Sequence, residues 1–233
     1  MKTKGSILVM IIAAAIMIPV LMAGCTSAEP EAPAGYTNGE AASGNSADAL
    51  RFKEEHEVYN GQLRDNGEPH LDIYIPANNR VVYLEFDALM DFIDSGTGVF
   101  FFSRPTCPWC RVLLPTFLEV AEVAGMYIYY YDIDYDREAH NQNYVRILEA
   151  LHNYLPVDDR SQSPDEPDFD ENLKRVTVPH LFFMQDGQVI NEVMMNRHPL
   201  LVDEDMAGLY SFLLEMFRSI PMAARDLPCI EDC

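Results

Sequence analysis

The feature that most limits how this chain can fold is the stretch GVFFFSRPTCPWCRVLLPTFLEV, which begins at Gly98. Its first part is a short apolar run, which is typical of a buried β-strand. Its last part has apolar residues at helical spacing. Cys107 and Cys110 lie at the junction, separated by two residues. The sequence therefore predicts a buried strand, a short loop and a helix that begins at the cysteine pair.

The position of this pair favours thiol chemistry. The N-terminus of a helix offers free backbone N–H groups and the positive end of the helix dipole, and both stabilise a thiolate. We expect Cys107 to be the attacking thiol and Cys110, one turn further, the resolving thiol. Arg104 and Arg111 flank the pair, and we expect both charges to lower the thiol pKa values. Pro108 suits the first helical turn, where its missing N–H costs nothing.

Half of a zinc site and an inert structural disulfide are the alternatives to a redox role for the pair. Zinc needs four ligands, but no second CxxC or HxxxH follows, and Cys229 and Cys233 lie beyond the last predicted helix. A calcium loop in DIDYDREAHNQN is improbable, because Arg137 and Asn143 stand where Gly and Glu are needed. An inert structural disulfide is the other alternative, although such bonds rarely open a helix behind a buried strand. We therefore favour a redox pair that uses no metal and no cofactor.

The N-terminus predicts export. Lys2 and Lys4 precede an uncharged stretch over residues 7–21, which is typical of a signal peptide. This stretch is interrupted by Pro19 and is shorter than the roughly 20 residues that a membrane-spanning helix needs. We expect residues 1–24 to be a signal peptide.

The residues that follow predict a membrane-tethered protein. Ala23 and Gly24 before Cys25 resemble the lipobox of bacterial lipoproteins, with ordinary cleavage nearby as the alternative. The resemblance implies that Cys25 is acylated and holds the protein on the outer face of the cytoplasmic membrane. Residues 25–50 are rich in Ala, Gly, Ser, Pro and Glu and have little to bury, so they predict a flexible tether.

The rest of the chain predicts one domain over residues 51–225, with an acidic insertion near 157–172, and a tail over 226–233. The formal net charge of −21 argues against nucleic acid as a partner and is explained by solubility. Cys229 and Cys233 in the tail bring the remaining cysteines to an even number, as expected where disulfides persist. We favour a local disulfide between them. The alternative is a mobile pair that relays electrons to the central cysteines.

Short β-rich runs alternate with helical ones along this domain. HLDIYIP, RVVYL, GVFFFS and MYIYYYDID predict strands, and HLFFM and QVINEVMM predict a hairpin around Asp186-Gly187. FDALMDFIDSG, the segment after Cys107, EAHNQNYVRILEALHNYL and DMAGLYSFLLEMFRSI predict helices. Together they predict an α/β domain with a central mixed β-sheet flanked by helices.

The order of these motifs resembles the thioredoxin superfamily over about residues 80–219. The resemblance rests on the CxxC between strand and helix, then YYYDID, then TVPHLFFMQDGQVI. It implies a thioredoxin fold, with Cys107 as nucleophile, Cys110 as resolving cysteine and Val178-Pro179 as a cis-proline step that docks the substrate backbone. With the lipobox and the CPWC motif, the chain resembles bacterial membrane-tethered thioredoxin-like proteins.

Several positions near the motif differ from those of thioredoxins or are expected to act on the cysteines. Phe101 stands where thioredoxins carry a buried acid that assists the resolving thiol, and Thr106 stands where they carry a tryptophan. Pro108-Trp109 is the dipeptide that tunes the potential in this superfamily, and Trp109 offers either an apolar surface for a substrate or a half-exposed packing residue. His180 follows the proline step, and it either lies near the cysteines and favours the thiolate or is a polar residue at a strand edge.

The function predicted from these residues is thiol–disulfide exchange outside the cytoplasm through a mixed disulfide with Cys107. The motif does not set the direction, and we lean towards reductase or isomerase-type exchange. The expected partners are exported client proteins with thiols or disulfides and a membrane electron-transfer partner. The alternative from another class is a non-catalytic accessory protein that binds an exported peptide or a transporter.

Overall fold

The structure is a computed structural model that describes residues 47–159, 170–196 and 198–220. The strands are β1 Val81–Tyr83, β2 Gly98–Ser103, β3 Ile128–Asp132, β4 His180–Gln185 and β5 Gln188–Met194. The helices are α1 Ala47–Glu57, α2 Phe86–Ser95, α3 Pro108–Ala124, α4 Asp134–Ala139, α5 Gln142–Leu151, α6 Pro199–Val202 and α7 Met206–Arg218, with a short 3₁₀ helix at His152–Tyr154. The strand, loop and helix predicted around the cysteine pair are confirmed as β2 and α3.

The five strands form one mixed sheet in the order β1-β3-β2-β4-β5. β1, β3 and β2 are parallel, β4 is antiparallel to β2, and β5 is antiparallel to β4. β2 is therefore central, and all of its residues are buried. The prediction of a central mixed sheet flanked by helices is confirmed.

The two faces of the sheet are covered by different helices, because side chains alternate along each strand. Phe101 packs on the face covered by α1, α3 and α7, in a cluster with Phe117 and Phe217. Phe100 and Phe102 pack on the opposite face, in a cluster with residues of α2 and α5. Helix α3 is thereby fixed against the central strand, and its first residue lies just beyond the carboxyl end of β2.

The predicted strand HLDIYIP is not a strand in the structure. The backbone groups of its two buried residues, Ile73 and Ile75, bond instead to side chains of the preceding segment. The Asn60 amide bonds to both the N–H and the carbonyl of Ile73, at 3.1 and 2.7 Å. Glu57 accepts from the N–H of Ile75 at 2.6 Å, and Lys53 donates to its carbonyl at 3.0 Å. The alternating pattern does mark a buried face, since Ile73 and Ile75 are buried. The hydrogen-bond partners of their backbone groups, however, are not in a neighbouring strand.

Two other boundaries differ from the prediction. The tether was expected to reach residue 50, but α1 begins at Ala47 and buries Ala49 completely. The helix predicted in EAHNQNYVRILEALHNYL is interrupted at His140, which has a φ of 46° and ends α4. Asn141 then caps α5 by accepting from the N–H of Tyr144.

The predicted hairpin around Asp186-Gly187 is confirmed. Both residues have positive φ, 50° and 76°, as a two-residue turn of type I′ requires. The Gly187 N–H donates to the carbonyl of Gly96 at 3.0 Å, so the turn is held against the end of α2. A Cβ at Gly187 would lie 1.9 Å from the carbonyl oxygen of Asp94, so no other residue fits there without a shift.

Several predictions fall outside the described residues: the signal peptide, the acylated Cys25, most of the tether, much of the acidic insertion, and Cys229 and Cys233 in the tail. Among the residues that are described, none of the helices has the length and apolar character needed to cross a membrane.

The role of Asn60 can be tested by stability. Asn60→Ala removes both bonds to Ile73 and an acceptor for Arg111. We expect the free energy of unfolding to fall by about 1–3 kcal/mol, because partly buried backbone groups lose their partners. Urea unfolding measures this as a lower midpoint at unchanged slope. Asn66→Ala is the control, because Asn66 accepts only an exposed N–H from Glu68, and we expect a loss within about 0.5 kcal/mol. Equal losses would show that the Asn60 amide does not hold the segment.

Candidate active site

The two cysteines lie where α3 begins. Cys107 is the N-cap residue of α3, with extended backbone angles, and its sulfur accepts from the backbone N–H of Cys110 at 3.4 Å. Pro108 occupies the first helical position, as predicted. Cys107 is 3% exposed and Cys110 is fully buried. Both are free thiols in the structure.

The pKa of Cys107 is lowered from its ordinary value to about 7. The largest cause is a hydrogen bond from the Cys110 thiol, which stabilises the thiolate against the opposing effect of burial. The backbone N–H groups of Cys110 and Trp109 and the positive charge of Arg104 act in the same direction. A substantial fraction of Cys107 is therefore thiolate near neutral pH.

The pKa of Cys110 is raised, first because the thiol is buried and then because it faces Cys107. Ser103, at the end of β2, is fully buried, and its hydroxyl lowers the pKa of Cys110 as a donor to the thiolate. Ser103 Oγ makes no hydrogen bond of ordinary geometry to another described group, so it can turn towards the sulfur. Phe101 is fully buried among apolar side chains, so this position holds no acid. Ser103 was not among the predicted site residues, although it lies at the end of the strand that precedes the motif.

The two arginines that flank the motif have different surroundings. Arg104 lies 3.2 Å from Asp134, and its charge lowers the pKa of Cys107, as expected. Arg111 is fully buried and donates to the carbonyls of Leu71 and His56, at 2.6 and 2.7 Å. The prediction that Arg111 lowers the thiol pKa values is therefore wrong. Its guanidinium binds the segment before β1 to α3.

The proline step lies beside the attacking sulfur. The peptide bond between Val178 and Pro179 is cis, and the Cys107 thiol lies 3.7 Å from the Val178 carbonyl, to which it donates. The Pro179 carbonyl accepts from the N–H of Met195 at 3.0 Å, which fixes the loop to the end of β5. Within the described ranges the N–H of Val178 makes no backbone hydrogen bond. The structure thus brings Val178 and Pro179 together with the cysteine pair.

His180 does not lie near the cysteines. Its ring packs 4.3 Å from that of Phe182, and its Nε2 is 2.6 Å from a carboxylate oxygen of Glu192. Side chains alternate along β4, so His180 shares the face of Phe182, whereas Leu181 and Phe183 pack on the face of α3. His180 therefore makes a polar contact on the other face of the sheet. The alternative in which it lies near the cysteines and favours the thiolate is wrong.

A groove of about 450 Å³ opens beside Cys107. Pro108, Trp109 and Val178 line it. Trp109 is half-buried and packs against the core on the α3 face, so its packing role is observed. The apolar surface for a substrate stays a prediction. Arg137, Arg175 and Thr177 also line the groove. None of them belongs to a motif that predicts such a role. Within the described residues, no cluster of three or more His, Cys, Asp or Glu side chains could hold a metal ion.

No protein-family model matches the chain, and no curated protein matches it. Among solved structures, thioredoxin O1 from Arabidopsis thaliana in its oxidized state is similar at 19% identity with a TM-score of 0.33, over 57% of this chain and 99% of that one. Thioredoxin O2 from the same plant is similar at 20% identity with a TM-score of 0.33, over 57% of this chain and 96% of that one. The fold is thioredoxin-like, because the strand order is β1-β3-β2-β4-β5 and the cysteine pair lies at the start of α3.

The pKa of Cys107 predicts how its reactivity depends on pH. Only the thiolate reacts with iodoacetamide, so we expect the alkylation rate of Cys107 to fall as pH decreases through about 7. Arg104→Gln should move this midpoint upwards, because a stabilising positive charge is lost. Arg146→Gln is the control, since this guanidinium lies over the Phe86 ring, and it should leave the midpoint unchanged. Mass spectrometry of the alkylated peptide measures the rate. A midpoint near the ordinary thiol value of about 8.5 would contradict the site geometry.

Proposed function

We propose that this protein is a thiol–disulfide oxidoreductase that acts through Cys107 and Cys110. The observation that carries the proposal is the division of the pair: one sulfur caps a helix and has a lowered pKa, and the other is buried and has a raised pKa. Such a pair has one thiol ready to attack and one that stays protonated until it is needed.

The reaction follows from this arrangement. The Cys107 thiolate attacks one sulfur of a client disulfide, a new S–S bond forms, and the second client sulfur leaves as a thiolate. Cys110 then loses its proton to solvent or to the departing thiolate and attacks Cys107. The Cys107–Cys110 disulfide forms and the client is released with two thiols. Two electrons pass from the pair to the client, and the reverse sequence oxidises a dithiol.

For direction, we propose reductase or isomerase-type exchange. A strongly oxidising pair requires a thiolate so stable that its pKa is about 3.5, whereas reducing pairs have values about 7. The pKa of Cys107, lowered to about 7, supports the reducing side. Continued reduction requires a donor of electrons, and a membrane electron-transfer partner would supply it.

We further propose that the protein works outside the cytoplasm, anchored to the membrane of a bacterium by a lipid on Cys25. The charged and apolar pattern of residues 1–24 and the lipobox-like residues before Cys25 support this location. The clients would then be exported proteins with thiols or disulfides. For the tail, we propose that Cys229 and Cys233 form a local structural disulfide, because nothing else there suggests a docking segment.

Substitution of each cysteine tests the proposal. We expect Cys107→Ser to reduce the exchange rate with a disulfide peptide to background, because the attacking thiolate is lost. Cys110→Ser should still attack but accumulate a mixed disulfide, because nothing resolves it. Gel shift and mass spectrometry of the full-length protein detect the trapped species.

The double variant Cys229→Ser/Cys233→Ser is the matched control and should retain the parental rate with a macromolecular donor if the tail disulfide is structural. Retained turnover in Cys107→Ser would contradict the proposal. Peptide binding without any exchange by the parent protein would instead favour the non-catalytic accessory protein.

A further inference from the structure

Three arginines line the groove beside Cys107, although the chain has a formal net charge of −21. Arg104 comes from the loop before α3, Arg137 from α4, and Arg175 from the segment that leads to Val178. No lysine or glutamate lines the groove among the described residues, and its one acidic residue is Asp159. The entrance to the attacking sulfur therefore differs in charge from the rest of the molecule.

These arginines are not equally available. Arg104 and Arg137 share one carboxylate, that of Asp134, which does not line this groove. Arg175 is paired inside the groove with Asp159, whose carboxylate lies 2.9 Å from the guanidinium. The side chain of Asp159 is 61% exposed, so this pair is weak and open to exchange with another carboxylate.

Arg175 itself is held in place. Its side chain is 16% exposed, its Nε lies 3.5 Å from a carboxylate oxygen of Asp158, and its backbone N–H donates to the Pro156 carbonyl at 3.1 Å. Two residues further, Thr177 is 4% exposed and also lines the groove, and its hydroxyl has no hydrogen-bond partner among the described residues. Arg175 and Thr177 thus line the same groove.

The position of Arg175 relates it to the chemistry. It precedes Val178 by three residues, and the carbonyl of Val178 lies 3.7 Å from the Cys107 sulfur. A client segment that lies along Val178 with its sulfur at Cys107 would bring a neighbouring side chain over the arginines. Arginine is suited to a carboxylate there, because its planar guanidinium can donate two parallel hydrogen bonds.

We propose that this groove selects client segments with a carboxylate side chain beside the reactive cysteine, and that Asp159 occupies the carboxylate position in the free protein. This inference rests on the proposed exchange function and adds the class of substrate. Asp159 then competes with the client, so its removal and the removal of Arg175 should have opposite effects on selectivity.

The experiment compares three peptides that share one intramolecular disulfide and differ only in a Glu, Gln or Lys beside the cysteine. The second-order rate constant for oxidation of the pre-reduced full-length protein is measured for each. We expect Glu to react about fivefold faster than Gln, and Lys to react slowest. Addition of about 0.5 M salt should diminish the difference, because it screens exposed charges.

Three variants test which residues cause the difference in rate between the peptides. Arg175→Gln should bring the Glu-to-Gln rate ratio close to one, and Asp159→Asn should raise it above the parental ratio. Arg80→Gln is the matched control, because Arg80 is also largely buried and paired with a carboxylate, that of Glu122 at 2.8 Å. It lies outside the groove and should leave the ratio unchanged.

The outcomes separate the two proposals. If no peptide oxidises the reduced pair, the exchange function itself is wrong. If all three peptides react at the same rate, the function stands and the selectivity is overturned. A ratio that falls in Asp159→Asn would contradict the competition, and this variant keeps the test decisive even if Arg175→Gln is found to unfold.

Discussion

The contact on which the site depends is the hydrogen bond from the Cys110 N–H to the Cys107 sulfur at the start of α3. A helix begins with backbone N–H groups that lack partners, and a side chain at the N-cap usually satisfies one of them. Here the cap is a thiol, so the same sulfur that completes the helix is also stabilised as a thiolate. Because β2 is central and fully buried, the sulfur is held firmly at the end of the sheet.

Much of the fold could be predicted because the strongest patterns were local. The buried run before the cysteines, the helix after them and the Asp186-Gly187 turn each depend on residues close in sequence. HLDIYIP could not be assigned correctly, because strand-like alternation does not show which group satisfies the backbone. Here the partners include Asn60, more than ten residues away and without a sequence signal.

The candidate site, like the fold, could be predicted only where its residues form short local motifs. Cys107 and the Val178-Pro179 step were found because each is a short motif, and the structure brings them within 3.7 Å. Arg111 and His180 are close to these motifs in sequence, but their side chains turn to other parts of the molecule. Arg111 is adjacent to Cys110 but turns to the segment before β1, and the alternation of β4 places His180 on the other face. Two of the groove arginines, Arg137 and Arg175, were missed for the converse reason, since they come from elements far from the motif in sequence.

The most direct test of the redox assignment is the reduction potential of the Cys107–Cys110 pair, titrated in glutathione buffers and followed by alkylation and mass spectrometry. A working exchange pair should titrate reversibly as a two-electron couple, with a midpoint between about −270 and −120 mV. We expect a value near the reducing end of that range, because the pKa of Cys107 is lowered only to about 7. A midpoint below about −300 mV would mark an inert structural disulfide and contradict the proposed function.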